Sequence, residues 1–431
     1  MTKRVSLHTI GCRLNQYETE KMAAELYPYG FQRAEPGEIA DLYIINTCTV
    51  THKADADCRQ IIKRATRQNP DARVVVAGCY VDNDPDRVAG LEGVHTIVRN
   101  HDKSRIAQIL PGRFPELFDT EPDMSCSTNI SDFHGHNRAW LKVSDGCNQW
   151  CSFCIIPRVR GRLRNRPANE IISEINSLVS NGYQEVVLTG VHLGHYKNRT
   201  VEPEMKNLAA LCRLILEKTP VSRIRLSSLE PQTVREELVE VYGRSEGRIC
   251  RHMHLPLQSG SSRILKLMLR PYDQNTYIKR ASAVKDAQAN TIIGADVIVG
   301  FPGETNEDFE HTRRLAESGL IDYLHVFSYS DRPGTKASLL SDKVAPEIIR
   351  ERNATLTEIS QRIRAQALKR QIGERLEVIA EHKCEADGSF FAVSDNYLKV
   401  KLPSHLEGGK RLIPVRVTGA TDEYLLADTV C

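Results

Sequence analysis

Long apolar runs, a dominant charge of either sign and a signal-type leader are all missing from these 431 residues. No stretch approaches the ~20 apolar residues of a membrane-spanning helix, and the first residues carry no apolar h-region. A cytoplasmic protein without a membrane partner is therefore expected. The net charge is only +3, which excludes a general polyanion binder and confines any nucleic-acid contact to a local patch. Residues 372–431 hold 7 Lys+Arg against 10 Asp+Glu, leaving +6 on residues 1–371. Hydrophobic residues at 41% and charged residues at 26% describe an ordinary globular chain long enough for two or three domains. What is plentiful is cysteine. Twelve of them in a cytosolic setting point to metal or redox chemistry, since disulfides are rare there.

Cys147, Cys151 and Cys154 form a C-x3-C-x2-C run with Phe153 before the third thiol. Three thiolates can hold a four-iron cluster and leave one iron open. Zinc in a structural site takes four ligands, and the segment from Gly146 to Arg166 offers no fourth. A zinc or purely structural site is the alternative. The pattern resembles the signature of the radical S-adenosylmethionine (SAM) enzymes, in which SAM chelates the open iron.

Three further cysteines follow strand-like runs: Cys12 after 5–10, Cys48 after 42–45 and Cys79 after 74–77. Helical stretches at about 15–29 and 53–68 separate them, giving an open parallel α/β sheet. Ligands of such sheets bind beyond the carboxyl ends of the strands, where these thiols fall. The alternative is that they merely pack. Cys58 falls inside a helix and, with Cys126, Cys212, Cys250, Cys384 and Cys431, reads as an ordinary thiol.

Six strand-like segments follow, at 139–143, 185–188, 223–226, 252–255, 295–299 and 323–327, alternating with amphipathic stretches. The pattern predicts a partial (β/α)6 barrel with its site at the carboxyl-end face. Thr189, Gly190, Ser228, Glu230, Gln258 and Asp296 are candidates to contact a nucleoside cofactor there. Arg158, Arg160, Arg162, Arg164 and Arg166 alternate through 157–167; an extended backbone would put all five in one row suited to phosphates or a carboxylate. A solvated basic loop is the other reading. After a helical stretch at 346–371, short strands separated by turns predict a small antiparallel β-barrel. Tyr397, Lys399 and Lys401 are its candidate RNA contacts, with a structural cap as the alternative.

Taken together, Gly11-Cys12-Arg13-Leu14-Asn15-Gln16-Tyr17-Glu18, Asn46-Thr47-Cys48-Thr49-Val50, Gly78-Cys79-Tyr80, the Cys147 loop and Gly300-Phe301-Pro302-Gly303-Glu304-Thr305 resemble the methylthiotransferases of the radical SAM superfamily. The resemblance implies a methylthiotransferase N-terminal domain (1–112), a radical SAM core (133–367) and a TRAM-like barrel (370–431). It also implies SAM and two [4Fe-4S] clusters, one on Cys12, Cys48 and Cys79 and one on Cys147, Cys151 and Cys154. Catalysis would rest on these clusters, with no further catalytic residue assigned. Gly11 to Glu18 and 46–55 are most similar to the branch acting on N6-threonylcarbamoyladenosine at tRNA position 37. Implied partners are a tRNA anticodon stem-loop, an electron donor such as flavodoxin or ferredoxin, and a sulfur donor; a monomer is expected. The alternatives are isopentenyladenosine in tRNA, an aspartate of a ribosomal protein, or a non-catalytic iron–sulfur RNA-binding protein. Val81-Asp82-Asn83 and Arg99 depart from the family pattern, an effect expected to stay on the local surface.

Overall fold

A computed structural model of the chain describes residues 3–198, 202–385, 388–403 and 409–430. Its residues group into two compact units, the first made of 3–134, 145–149 and 154–164, the second of the remainder. Cys431 and the side chain of Cys384 lie outside what is described.

In the first unit, β1 (Lys3–Thr9), α1 (Arg13–Leu26), β2 (Phe31–Arg33), β3 (Leu42–Thr47), α2 (His52–Gln68), β4 (Arg73–Gly78), α3 (Cys79–Asn83), α4 (Pro85–Ala89) and β5 (Thr96–Val98) follow in order. The sheet runs β2-β1-β3-β4-β5, with every pair parallel. All six residues of β3 are buried, as are the last five of β4, so both strands read as unbroken apolar runs covered on two faces. Because β1, β3 and β4 are neighbours in register, the loops that leave their carboxyl ends are neighbours too.

The second unit holds two parallel sheets. One contains β6 (Ala139–Asp145), leading through α6 (Ile156–Arg160) and β7 (Arg164–Asn165) to α7 (Ala168–Ser180), β8 (Glu185–Gly190), α8 (Leu208–Lys218) and β9 (Arg223–Leu226). The chain divides between the units within this stretch, at the end of β6 and again along residues 150–165. After α9 (Glu236–Gly243), the second sheet contains β10 (His252–His254), β11 (Ile292–Val299) and β12 (Tyr323–Ser328), with α10 (Ser262–Leu267), α11 (Gln274–Ala287) and α12 (Asn306–Ala316) between them. Bonds from Ile224 N to Arg248 O at 2.7 Å and from Cys250 N to Ile224 O at 2.9 Å bridge the two sheets into one arc. Thr305 and Asp308 close a capping box that starts α12.

Helix α13 (Pro346–Lys369) packs on β12, where Ser360 Oγ bridges the Leu324 backbone at 2.8 and 3.0 Å. Strands β13 (Arg375–Cys384), β14 (Phe390–Ser394), β15 (Lys399–Leu402), β16 (Ile413–Ala420) and β17 (Leu425–Thr429) then close a barrel in the order β13-β14-β15-β17-β16. One seam, β15 with β17, is parallel; the others are antiparallel, as expected. The barrel is tied to the strands beneath it by buried charge. Glu185 holds Arg223 at 2.7 Å and Arg225 at 2.8 Å, and the two guanidiniums donate onward to the carbonyls of Glu377 (2.9 Å), Ser394 (2.9 Å) and Asp395 (2.8 Å).

Candidate metal and cofactor site

Cys12 is the N-cap of α1, Cys48 follows β3 directly, and Cys79 is the first residue after β4. The thiol of Cys12 makes no capping hydrogen bond, so its sulfur is not consumed by the helix. Gly11 makes the close approach possible: at φ +101° it occupies left-handed space, and a Cβ there would lie 2.7 Å from Cys48 Cβ and 3.0 Å from Cys48 Sγ. Burial pushes the Cys48 thiol up to about 11, with Cys79 and Cys12 adding to the rise because their charges would share the same space. Three soft donors at the carboxyl end of one sheet, Cys48 and Cys79 buried and Cys12 exposed, fit a cluster. Cys58 is different: it lies in the helical core, pushed up to about 12 by burial, with Sγ donating to Cys48 O at 3.5 Å.

Asn100 Nδ2 reaches Cys79 Sγ at 3.5 Å, and Asp82 accepts the Asn100 backbone N–H at 2.8 Å. Of the departures from the family pattern, Asp82 therefore reaches one cysteine through Asn100, rather than staying on the surface as expected.

The second triplet occupies the turn after β6. Gly146, at φ +71°, sits so close to the returning chain that a Cβ would be 2.2 Å from Arg162 O, while Cys147 N donates to Gly161 O at 3.0 Å. Gln149 N points at Cys147 Sγ at 3.3 Å, an amide-to-sulfur contact of the kind that tunes a cluster. Cys151 Sγ accepts from Arg270 Nη1 at 2.9 Å, and Arg270 is ion-paired with Glu230 and lies over the Tyr272 ring. Ser152 anchors its part of the turn through N to Met268 O (3.0 Å) and Oγ to Leu267 O (2.8 Å). Thiol donors and amide contacts suit a second cluster here.

Among the candidate cofactor contacts, Thr189 is buried at the end of β8, and Glu230 follows β9. Gly190 has a packing role, since a Cβ would lie 2.2 Å from Ser144 Oγ. Gln258, at φ +63°, pairs beside β11 through Gln258 N to Asp296 O (2.8 Å) and Ile298 N to Gln258 O (2.9 Å). Ser228 Oγ bonds His254 Nδ1 at 2.7 Å, and His254 Nε2 meets Asp296 Oδ1 at 3.2 Å. Ligand atoms of His254, Asp296 and His325 all fall within 4.8 Å of one another on the three adjacent strands. Sequence reasoning missed Arg270, His254, His325 and also His192, a buried ring without a hydrogen bond on either nitrogen among the described residues. Burial, then His195 and Arg270, bring His192 down to about 3. The signal for Arg270 was available only as a lone arginine before Pro271.

The arginine row does not form. Pro157 and Gly161 bound a single helical turn, α6, in which side chains two apart point away from each other. Arg158, Arg162 and Arg164 are exposed, Arg166 pairs with Glu174 at 2.8 Å, and Arg160 is buried. Tyr397 is likewise not on the open surface expected for it. At φ +67° it turns against His252 (ring centroids 4.5 Å apart) and beneath the Arg225 guanidinium at 5.2 Å. Lys399 stands over Phe391, 3.4 Å from the ring centroid, and Phe391 meets Tyr424 edge-on at 5.3 Å.

Residues 4–99 match the model of the uncharacterized protein family UPF0004, and residues 141–316 that of the radical SAM superfamily. The chain is 35% identical over 434 residues to the threonylcarbamoyladenosine tRNA methylthiotransferase MtaB of Bacillus subtilis (strain 168), covering 97% of this chain and 95% of that protein. It is 30% identical to the tRNA-2-methylthio-N(6)-dimethylallyladenosine synthase of Mycobacteroides abscessus, covering 98% of this chain and 87% of that one. The fold is similar to the radical SAM methyltransferase TsrM of Kitasatospora setae, with a TM-score of 0.56 at 16% identity over 79% of this chain and 77% of the other.

Proposed function

Because this chain belongs to the methylthiotransferases of the radical SAM superfamily, which use SAM and [4Fe-4S] clusters, we propose that it methylthiolates C2 of N6-threonylcarbamoyladenosine at position 37 of tRNA. The observation that carries the substrate is the 35% identity over nearly the whole chain to a relative named for that nucleoside, against 30% for a relative named for dimethylallyladenosine. When bound, SAM and its cluster supply the reductive chemistry that an unreactive aromatic C–H bond demands.

The chain's own residues hold and shield. Cys147, Cys151 and Cys154 would hold the SAM-binding cluster, and Cys12, Cys48 and Cys79 the second. Thr189, Ser228, Glu230 and Gln258, at or just beyond strand ends, and Asp296, inside β11 beside His254, are our candidates to orient SAM. Exposed Arg158, Arg162 and Arg164 suit backbone phosphates, and Lys399 with Phe391 and Tyr424 suits a stacked base. An electron donor such as flavodoxin or ferredoxin and a sulfur donor complete the reaction, and we place it in the cytoplasm, on a monomer. No helix among the described residues is long and apolar enough to cross a membrane.

Nucleoside analysis of tRNA from a strain lacking the gene decides the reading. Loss of the 2-methylthio derivative of threonylcarbamoyladenosine is expected. Loss of the dimethylallyl derivative instead would move the enzyme to the other branch, and unchanged tRNA would remove tRNA as its substrate.

A further inference from the structure

Arg160 is the one arginine of its run that the fold buries, and its surroundings are unusual. Nη1 donates to Glu18 Oε1 and to Asp145 Oδ1, each at 3.0 Å, while Nη2 donates to Glu18 Oε2 at 3.1 Å and also to Asn15 Oδ1. Lys103 Nζ meets the same Glu18 carboxylate at 2.6 Å, and all five residues are buried. Two of these partners lie on α1, the helix that begins beside Cys12; Asp145 ends β6, two residues before Cys147. Asn15 in turn donates to Ile10 O (2.8 Å) and Thr47 O (3.0 Å), the backbone just ahead of Cys12 and of Cys48. Val159, the neighbour of Arg160, accepts from Asn100 at 2.9 Å, the same amide that touches Cys79 Sγ, and packs with Cys79 and Ile155 in one apolar cluster.

Four buried charges cost more in desolvation than well-packed apolar residues of similar volume would. Such a cluster is a poor device for stability alone. The planar guanidinium fork is the one side chain that can grip a carboxylate with both arms and still reach two further acceptors, which lysine cannot do. Its charge falls beside the thiols, since its neighbour Val159 packs on Cys79 and its partner Asn15 braces the backbone ahead of Cys12 and Cys48.

We propose that Arg160 is a positioning residue for the N-terminal cysteine set, clamping the turn before Cys147 to the helix after Cys12 and setting, through its charge, the reduction potential of the cluster held by Cys12, Cys48 and Cys79. The proposal rests on the reading that those thiols hold a cluster. Reduction adds negative charge, so a buried cation nearby favours it and a buried anion opposes it.

The test uses the full chain reconstituted anaerobically with both clusters. Iron near eight atoms per chain, about four for each cluster, supports the two-cluster reading; about half that would sink the reading itself, separately from this proposal. Redox titration with a low-potential reductant is followed by electron paramagnetic resonance, tracking the signal that added SAM leaves unshifted. Arg160→Gln should move that midpoint to more negative potential, and Glu18→Gln should move it the opposite way. Arg160→Lys, which keeps the charge and loses the fork, should hold the midpoint near that of the parent while lowering iron occupancy. Loss of structure alone would not give shifts of opposite sign. Midpoints that stay put, or that move the same way in both variants, overturn the proposal. Should Arg160→Gln fail to fold, Glu18→Gln decides by itself: an upward shift supports the idea and any other result ends it.

Discussion

At the level of single side chains, the two cysteine sets should respond differently to replacement. Alanine at any of Cys147, Cys151 or Cys154 should abolish reductive SAM cleavage, whereas alanine at Cys12, Cys48 or Cys79 should spare much of that cleavage and remove the methylthiolated product. Assaying 5′-deoxyadenosine and modified nucleoside in the same reaction separates the two. Cys58→Ala should keep its iron, because that thiol is engaged with a backbone carbonyl inside a helical core. His192 offers a pH signature. Its folded value, brought to about 3 by burial, lies below the ordinary value of 6.5. The folded state therefore takes up its proton less readily than the unfolded chain. Stability is complete above pH 6.5 and drains away as the pH falls toward 3, by about 2 kcal/mol at pH 5. Replacing His192 with Gln should flatten that loss in thermal melts run between pH 7 and 5.

Elements, more than residues, decided what could be read beforehand. The cysteines were legible because they follow β-branched runs whose strand character does not depend on distant partners. Arg160 was not, since only the turn made by Pro157 and Gly161 sends it inward while Arg158 stays out. Tyr397 misled for a similar reason: its left-handed backbone, invisible in composition, aims the ring at His252. Gly146→Ala puts a Cβ against Arg162 O at a positive φ, a strain of about 1–3 kcal/mol, and should cost iron at the barrel site while leaving the N-terminal site loaded. Replacing exposed Arg162 and Arg164 with Gln should lower the slope of tRNA binding against log salt by about 1 to 2, roughly 0.7–0.9 per lost phosphate contact.

Across the whole molecule, the small barrel is part of the second unit's stability. Removing 372–431 strips Arg223 and Arg225 of carbonyl acceptors and uncovers the cluster formed by Ile292, Tyr323, Leu368 and the barrel interior. That truncation should yield aggregated chain, seen by size-exclusion chromatography, and so cannot report on RNA affinity. Glu185 is the keystone. Burial alone would raise its pKa, but Arg225, Arg223 and Arg138 hold it well below the usual carboxylate range. Glu185→Gln should cost on the order of 3–5 kcal/mol by leaving two buried guanidiniums without a counter-charge. In the parent, the stability that Glu185 contributes is present above the ordinary carboxylate value and is lost as acid titrates through the depressed folded value.

The first unit is not continuous in sequence, because it needs residues 145–149 and 154–164 as well as the first 134. During synthesis the N-terminal sheet therefore leaves the ribosome before its own missing pieces, and waits on the order of seconds at the usual ~5–20 residues per second for residue 164 to emerge. Until then Glu18 and Lys103 have no arginine beside them, and Cys79 lacks the cover of Ile155 and Val159. The packing around Cys79 is thereby completed only after residue 159 has also been translated.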